Sequence, residues 1–263
     1  MNFIYFWGVQ KAIYFISDAH LGAPNREQSE QRERKLAAWL SEIAPTARAV
    51  YIVGDLFDFW FEFKQVVPKG YTRLLGALAS LADAGVEIHL FRGNHDLWYG
   101  DYFANEWGAH IHQNPITVEA FGQKALVGHG DGLGPGDIGY KGLKRVFTFP
   151  PFVWAFRWLH PDLGIALAGV LSRGSRARTG HKDSQFTGIE SEALWIHCCA
   201  LQKENPVDLY IFGHRHLPLD LAVPGRDAEG QQARYINLGD WLQYFTYGEW
   251  SESGFEMKYL GLP

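Results

Sequence analysis

Residue types that bind divalent metals recur at five places in this sequence, each time directly after a run of apolar residues. Aspartate and asparagine supply oxygen ligands and histidine supplies nitrogen, the donor atoms that divalent cations take in proteins. One such group alone would be an ordinary turn or a surface histidine. Because all five occur in order, we predict one shared metal site from Asp18-Ala19-His20, Gly54-Asp55, Gly93-Asn94-His95-Asp96, Gly128-His129-Gly130-Asp131 and Gly213-His214-Arg215-His216.

The stretch Val50–Trp60, VYIVGDLFDFW, shows why a cation is expected. It begins as an apolar strand and then runs into two carboxylates, Asp55 and Asp58, set among aromatic residues. A carboxylate in apolar surroundings is costly unless something pairs with it. We therefore predict that Asp55 meets a cation.

Strands and helices alternate through the first hundred residues. Apolar strand-like runs cover 12–20, 49–55 and 86–96, and apolar residues at helical spacing cover 27–43 and 71–85. This order predicts an α/β core with a largely parallel sheet. Ligands bind at the carboxyl ends of the strands in such sheets, which would bring the polar clusters together. Further strands are predicted as a hairpin over 116–131, at 207–216 and in the C-terminal tail.

Composition and charge narrow the class of protein. The 263 residues suit one large domain, 1–263, and 47% hydrophobic with 15% aromatic residues indicate a globular chain. The net charge of −5 argues against sequence-independent binding to nucleic acid. The N-terminus is a poor signal peptide, no apolar run is long enough to span a membrane, and the two adjacent cysteines favour a reducing compartment. We therefore expect a cytoplasmic protein, and the oligomeric state stays open.

The motifs D-x-H, GD, GNHD, GH and GHxH, at the positions given above, resemble those of the calcineurin-like metallophosphoesterases over residues 18–216. The resemblance implies a sandwich of two β-sheets flanked by helices, with two divalent metals that acidify a water for in-line attack on phosphorus. It also implies seven metal ligands. Asp18, His20 and His216 would bind the first metal, and Asn94, His129 and His214 would bind the second. Asp55 would bridge the two metals.

His95 and Asp96 have different roles in that resemblance. His95 follows Asn94 and would face the substrate, where it either stabilises charge on the phosphoryl group or protonates the leaving oxygen. Asp96 would orient the imidazole of His95; it could also serve as a helix N-cap, and the two roles are compatible. The two metals are expected to be Mn²⁺, with Fe or Zn as alternatives.

Other stretches resemble one branch of this family. SDAHLGAP, GDLFDFWFEF, GNHDLWYGDYF and YINLGDW are similar to segments of the branch that contains the UDP-2,3-diacylglucosamine pyrophosphohydrolase of lipid A synthesis. The resemblance implies a lipid-linked nucleotide-sugar substrate that is cleaved to UMP and 2,3-diacylglucosamine 1-phosphate. The best-known members of the branch carry GNRD where this chain has GNHD, so His95 stands in place of an arginine.

A long connection, residues 131–206, is predicted to insert a helical lid into the domain. Its aromatic part, 147–158, suits acyl chains or peripheral docking on an anionic inner membrane, and simple packing of the same residues is the alternative. A basic part follows, and arginine recognises phosphate with two parallel hydrogen bonds. The expected substrate contacts are Asp137, Lys141, Arg173, Arg176 and Lys182.

Two other functions stay open on the residues alone. The first is a metallophosphoesterase that acts on another phosphomonoester or phosphodiester. The aromatic insertion argues against it, since a small soluble ester needs no such lid. The second is a non-catalytic scaffold of the same fold, against which the complete ligand set and His95 argue.

Overall fold

The computed structural model describes residues 11–134, 138–183, 185–226 and 232–261, which contain eleven strands, seven α-helices and one short 3₁₀ helix. The strands are β1 (Ala12–Ile16), β2 (Ala47–Ile52), β3 (Glu87–Phe91), β4 (His110–His112), β5 (Ile116–Ala120), β6 (Gln123–Gly128), β7 (Leu209–Phe212), β8 (Pro218–Arg226), β9 (Gln232–Leu238), β10 (Thr246–Ser251) and β11 (Gly254–Tyr259). The helices are α1 (Arg26–Ile43), α2 (Thr72–Asp83), α3 (Tyr102–Trp107), α4 (Ile138–Thr148), α5 (Pro150–Arg157), α6 (Pro161–Asp183) and α7 (Ala193–Glu204), with the 3₁₀ turn at Ile189–Ser191.

The strands form two mixed sheets. The first has the order β11-β10-β1-β2-β3-β4, with β1 to β4 parallel and β10 antiparallel to β1. The second has the order β5-β6-β7-β9-β8, with β6, β7 and β9 parallel. Each of the five polar clusters follows a strand in one of these parallel runs, so the clusters emerge at carboxyl ends of strands, as the sequence predicts.

Alternating side chains along β1 show how the sheets are layered. Ile13 and Phe15 point into the core between the two sheets, whereas Tyr14 and Ile16 point to the opposite face. Successive side chains of a strand face opposite ways, so a strand that is covered on both sides must be apolar throughout. All five residues of β1 are buried for this reason. The predicted two-sheet sandwich flanked by helices is confirmed.

Helices cover the outer faces of the sandwich with apolar residues at helical spacing. Leu36, Trp39 and Leu40 of α1, together with Leu74 and Leu78 of α2, pack on the first sheet. On the other side, α7 packs on the second sheet through its buried apolar residues, Leu194 and Cys198. The helices predicted over 27–43 and 71–85 are therefore present at nearly the expected bounds, whereas the sequence missed α3, β4 and β8.

Residues 131–206, the predicted insertion, contain α4 to α7. Because α7 packs on the second sheet, only α4, α5 and α6 lie apart from the sandwich, and we call these three helices the insertion helices. The outer domain boundaries remain a prediction. Among helices in the described ranges, none combines the length and the hydropathy that a transmembrane span requires.

Candidate dimetal centre

Strained backbone marks the site. Eight non-glycine residues in the described chain have a positive φ, and five of them belong to the predicted ligand set, with φ between 42° and 71°. Side chains with a Cβ rarely adopt this region, and each such residue costs on the order of 1–3 kcal/mol unless its surroundings hold it there. The five residues are Asp18, His20, Asp55, His214 and His216.

Hydrogen bonds between the clusters hold these strained residues in place. The backbone NH groups of Asp18 and His20 donate to the carbonyl oxygens of Gly54 (3.2 Å) and Asp55 (2.9 Å). The NH of His214 donates to Asp18 Oδ2 at 2.8 Å, across 196 residues of sequence. The ends of β1, β2 and β7 are therefore tied to one another directly.

Glycine is required where the clusters meet. A Cβ at Gly93 would collide with the carboxylate and the amide nitrogen of Asp55, and a Cβ at Gly54 would collide with the ring of His129. Replacing either glycine would therefore push apart two elements that carry predicted ligands.

The first predicted ligand group is assembled. Asp18, His20 and His216 each offer one ligand atom, and these atoms lie within 4.8 Å of one another. Both His20 Nε2 and His216 Nε2 are 3.6 Å from Asp18 Oδ1. Asp18 Oδ1 and His20 Nε2 are buried and have no hydrogen-bond partner, a condition that costs roughly 1–3 kcal/mol per group. A divalent cation would satisfy both atoms, so this group fits a metal.

The second predicted group lies beside the first. Asn94 Oδ1 is 3.2 Å from His129 Nε2 and 2.9 Å from His214 Nδ1. Asp55 stands between the two groups, because its Oδ2 is 3.6 Å from His20 Nε2 and 3.5 Å from His129 Nε2. This is the position that a bridging carboxylate would need.

Burial and charge set the protonation of these groups. Burial works against ionisation of Asp18 and Asp55, but the neighbouring imidazoles outweigh it and hold the pKa of both carboxyls below the ordinary value. Burial lowers the pKa of His20 to about 4, so this imidazole is neutral at pH 7 and ready to bind a metal. For His129 burial acts the same way, but the Asp55 carboxylate outweighs it and raises the pKa to about 10. A metal that binds His129 must therefore displace a proton.

Further contacts fix the rings of the predicted ligands. His129 Nδ1 is 2.8 Å from the carbonyl oxygen of Val53, and His216 Nδ1 is 3.3 Å from Asp240 Oδ2. Such outer partners orient ligand histidines and tune their basicity. Sequence reasoning did not assign Asp240, although it lies in the YINLGDW segment that resembles the family branch.

His95 contacts a different carboxylate from the one expected. Its Nδ1 lies 3.4 Å from Asp58 Oδ1 and 3.2 Å from the carbonyl oxygen of Asp58. Ser172 Oγ, from α6, lies 3.2 Å from the same nitrogen. Sequence reasoning noted Asp58 but gave it no role, and it missed Ser172 altogether. His95 also forms a possible metal-binding group with His20 and Asp55.

The expectation that Asp96 orients His95 is wrong. The Asp96 carboxylate accepts hydrogen bonds from the backbone NH groups of Gly93 (2.8 Å), Asp55 (3.2 Å) and Phe57 (3.3 Å), and from the hydroxyl of Tyr99. It is fully buried, and none of these partners is His95. No helix begins at Asp96, so the expectation of a helix N-cap is wrong too. Asp96 instead ties the GNHD loop to the loop after β2.

The expected substrate contacts are only partly within the described residues. Lys141 is exposed on α4, and its Nζ donates to the carbonyl oxygen of Gly134 at 2.9 Å. It lines a cavity of about 410 Å³ together with Leu133, Ile196 and His197. Asp137 lies outside the described residues. Arg173, Arg176 and Lys182 lie on α6, but their side chains are outside the described part of the structure.

The aromatic residues of the insertion helices divide between two faces. Phe156 packs against Phe61 and Trp98, with ring centroids 4.7 and 6.5 Å away, and Trp98 Nε1 donates to the carbonyl oxygen of Phe147 at 2.9 Å. These contacts fasten the insertion helices to the loops that carry Asp58 and His95. Other aromatic side chains face solvent, with exposed fractions of 53%, 64% and 74%: Phe152, Trp154 and Trp158.

The chain belongs to the calcineurin-like phosphoesterase family, which it matches over residues 11–218. It is therefore a metal-dependent hydrolase of phosphoric or pyrophosphoric esters, and the alternative of a non-catalytic scaffold is set aside. It is 41% identical to the UDP-2,3-diacylglucosamine hydrolase of Porphyromonas gingivalis, over 92% of this chain and 95% of that protein. Enzymes of the same name from Ectopseudomonas mendocina (34% identity, 87% of this chain and 90% of the relative) and Aeromonas salmonicida (31%, 87% and 85%) are also similar.

Proposed function

We propose that this protein hydrolyses the pyrophosphate of UDP-2,3-diacylglucosamine, adding water to give UMP and 2,3-diacylglucosamine 1-phosphate. The main support for this substrate is the similarity to the Porphyromonas gingivalis enzyme, which extends over nearly the whole length of both chains. The alternative is a different phosphoester, and the presence of His95 in an ordinary GNHD motif keeps it worth testing.

Two divalent cations would be held by Asp18, His20 and His216 on one side and by Asn94, His129 and His214 on the other, with Asp55 between them. When bound, they would supply an acidified water and neutralise charge on the phosphate. Mn²⁺ is the proposed metal, because oxygen and imidazole donors without thiolate suit it, and Fe and Zn are the alternatives. The unpartnered atoms of Asp18 and His20 support a cation at this place.

The protein's own groups would act on the phosphate through His95. Acceptors surround its Nδ1, so Nε2 is the nitrogen available to the substrate. From there it would either stabilise charge on the phosphoryl oxygens or give a proton to the leaving oxygen. Asp96 holds the GNHD loop against the loop after β2 and thereby fixes the position of His95.

The insertion helices would bind the rest of the substrate. Ser172 brings α6 next to His95, which supports a role for Arg173, Arg176 and Lys182 of the same helix in binding the anionic headgroup. Asp137 and Lys141 remain proposed contacts from the start of the insertion. The two acyl chains are the part of the substrate that suits an apolar surface.

A cytoplasmic protein that docks peripherally on the inner membrane is the proposed location. The outward aromatic side chains of α5 and the residue after it support this, because aromatic rings suit the interface between lipid headgroups and acyl chains. Flotation with vesicles made of phosphatidylethanolamine and phosphatidylglycerol tests it, and a protein that stays in the soluble fraction contradicts it.

An assay of three substrates tests the activity. The purified protein, loaded in turn with Mn²⁺, Fe²⁺ or Zn²⁺, is given UDP-2,3-diacylglucosamine, p-nitrophenyl phosphate or bis-p-nitrophenyl phosphate. We expect UMP release from the first to be the fastest reaction, with Mn²⁺ the best metal. Fast cleavage of a p-nitrophenyl ester without UMP release would assign the protein to another phosphoester.

A further inference from the structure

The insertion contacts His95 through a side chain of α6, Ser172. Its Oγ lies 3.0 Å from Asp58 Oδ1 and 3.2 Å from His95 Nδ1. The contact joins positions 114 residues apart, so it depends on how the insertion helices sit on the sandwich. Ser172 is half-buried at this contact.

One arrangement of hydrogens satisfies all three groups. The Ser172 hydroxyl donates to the Asp58 carboxylate, and its oxygen then accepts the hydrogen on His95 Nδ1. The carbonyl and carboxylate oxygens of Asp58 also face that nitrogen, at 3.2 and 3.4 Å. Because only acceptors surround Nδ1, the imidazole is held in the tautomer that carries its hydrogen there.

On the sandwich side, His95 Nδ1 lies 3.2 Å from the carbonyl oxygen of Asp58. Asp58 approaches His95 with its carboxylate at 3.4 Å, which is outside ordinary hydrogen-bond range for nitrogen and oxygen. Ser172 Oγ lies within hydrogen-bond distance of both the Asp58 carboxylate and His95 Nδ1, so the hydroxyl links these two groups. Without the hydroxyl, only the carbonyl contact and the longer carboxylate contact of Asp58 would hold Nδ1, so the imidazole would turn more freely. Small errors of position in a catalytic group lower the rate strongly.

We propose that Ser172 is a positioning residue for His95, so that the insertion sets the active-site imidazole in addition to binding substrate. For the lipid-linked substrate this rests on the proposed function. For small phosphoesters it rests only on the family to which the chain belongs. The proposal predicts that loss of the hydroxyl slows turnover of every substrate, including those too small to touch the insertion.

The variants Ser172→Ala and Ser172→Thr test the proposal, with Val170→Ala on the exposed side of the same helix as control. We expect Ser172→Ala to lower kcat roughly 3- to 15-fold on both UDP-2,3-diacylglucosamine and bis-p-nitrophenyl phosphate, the worth of one hydrogen bond. KM, the two metals per chain and the melting temperature should stay at wild-type values. Ser172→Thr, which keeps the hydroxyl, should restore kcat, and Val170→Ala should match wild type.

A measurement without metal adds an independent readout. In the metal-free protein the Nδ1 hydrogen of His95, identified in proton NMR by its absence in His95→Gln, should exchange with water faster in Ser172→Ala than in wild type. Equal exchange rates would count against positioning.

Three outcomes for Ser172→Ala would overturn the proposal. An unchanged kcat in Ser172→Ala would show that the hydroxyl does not position His95. A rise in KM for the lipid-linked substrate alone would show that Ser172 contacts the substrate instead. Loss of metal from the variant would show that Ser172 supports the structure of the metal site. If wild type releases no UMP but Ser172→Ala still lowers kcat on bis-p-nitrophenyl phosphate, the proposed substrate fails and the positioning role stands.

Discussion

The sandwich and the insertion helices bring their residues to the same site in different ways. The sandwich holds Asp18 and Asp55 buried, with strained backbone and several cross-strand hydrogen bonds. The insertion helices rest on the site through a few aromatic contacts, Ser172 and the ion pair of Lys144 with Asp131, and they turn other aromatic side chains to solvent. The proposed function therefore assigns metal binding to the strand ends and substrate selection to a separate layer, so we expect mutations to separate the two.

The largest effect is expected at the junction between the two metal groups. Asp55→Ala removes the carboxylate that lies between them, so the protein should lose both metals and at least about 10⁴-fold in activity. Metal content by mass spectrometry and UMP release measure the two losses. Glu119→Ala, an exposed carboxylate on β5, is the control. Two metals at native turnover in Asp55→Ala would show that Asp55 is no bridge.

A substitution of His95 tests whether this residue binds metal or acts only on the substrate. His95→Ala should keep both metals and lose kcat by roughly 10²–10⁴-fold, the usual effect of a positioned acid–base group. Metal content and steady-state kinetics on the same preparation decide this. A parallel loss of metal would instead place His95 among the ligands, with His20 and Asp55 as its neighbours.

The basic part of α6 should affect binding without affecting metals. The double variant Arg173→Ala, Arg176→Ala should raise KM for UDP-2,3-diacylglucosamine, because charge-assisted hydrogen bonds are worth about 1.5–3 kcal/mol each. Metal content should be unchanged. Lys203→Ala, on α7 away from the insertion helices, should behave as wild type. A wild-type KM in the double variant would remove α6 from headgroup binding.

The two aromatic faces of the insertion should respond in opposite ways. Phe156→Ala removes a ring that packs on Phe61 and Trp98, so it should loosen α5 by about 1–3 kcal/mol, measured by hydrogen exchange. Trp158→Ala removes a ring that is 74% exposed, so local stability should change by less than about 0.5 kcal/mol while vesicle binding falls. The reverse pattern would mean that the outward face is the packed one.

The smallest effect concerns a second histidine group in the sandwich, away from the metal ligands. His89 Nδ1 lies 2.9 Å from His112 Nε2, and burial, with repulsion from His112 and His110, lowers the pKa of His89 to about 3. The unfolded chain binds a proton near pH 6.5 and the folded chain does not, so stability falls as pH drops from 6.5 towards 3.

Urea denaturation at pH 7 and pH 5 measures this loss. After allowance for partial exposure, His89→Phe should remove about 1 kcal/mol of the difference between the two pH values, while His160→Phe, an exposed histidine between α5 and α6, should leave it unchanged. An equal pH dependence in wild type and His89→Phe would exclude His89 as its source.

The sandwich could be predicted from the sequence to a greater extent than the insertion. A cluster such as Gly54-Asp55 after an apolar run is a local signal, and the parallel order of strands brings such signals to one edge. The partner of His95 was not predictable in the same way. Asp96 is its neighbour in sequence, but side-chain direction turns Asp96 towards backbone amides, and Asp58 and Ser172 take its place.

The aromatic helices show a second limit. The run from Phe147 to Trp158 is apolar nearly all round, so spacing alone could not tell which rings face the sandwich. Phe156 faces it and Trp154 does not, because the loops that carry Phe61 and Trp98 provide a surface only on one side. Phe61 and Trp98 lie far from the insertion helices in the sequence, so the spacing of apolar residues within those helices cannot show which side they cover.

The hydrogen bond from His214 to Asp18 also bears on how the enzyme is made. β1 lies between β2 and β10, and Asp18 at its end accepts a hydrogen bond from His214, which follows β7 much later in the chain. A growing chain that has reached α7 carries Asp18, Asp55, Asn94 and His129 but lacks both histidines of the last motif. We therefore expect nascent chains to stay catalytically silent until the segment with His214 and His216 has left the ribosome and packed against Asp18, which makes late assembly of the second sheet the step that switches hydrolysis on.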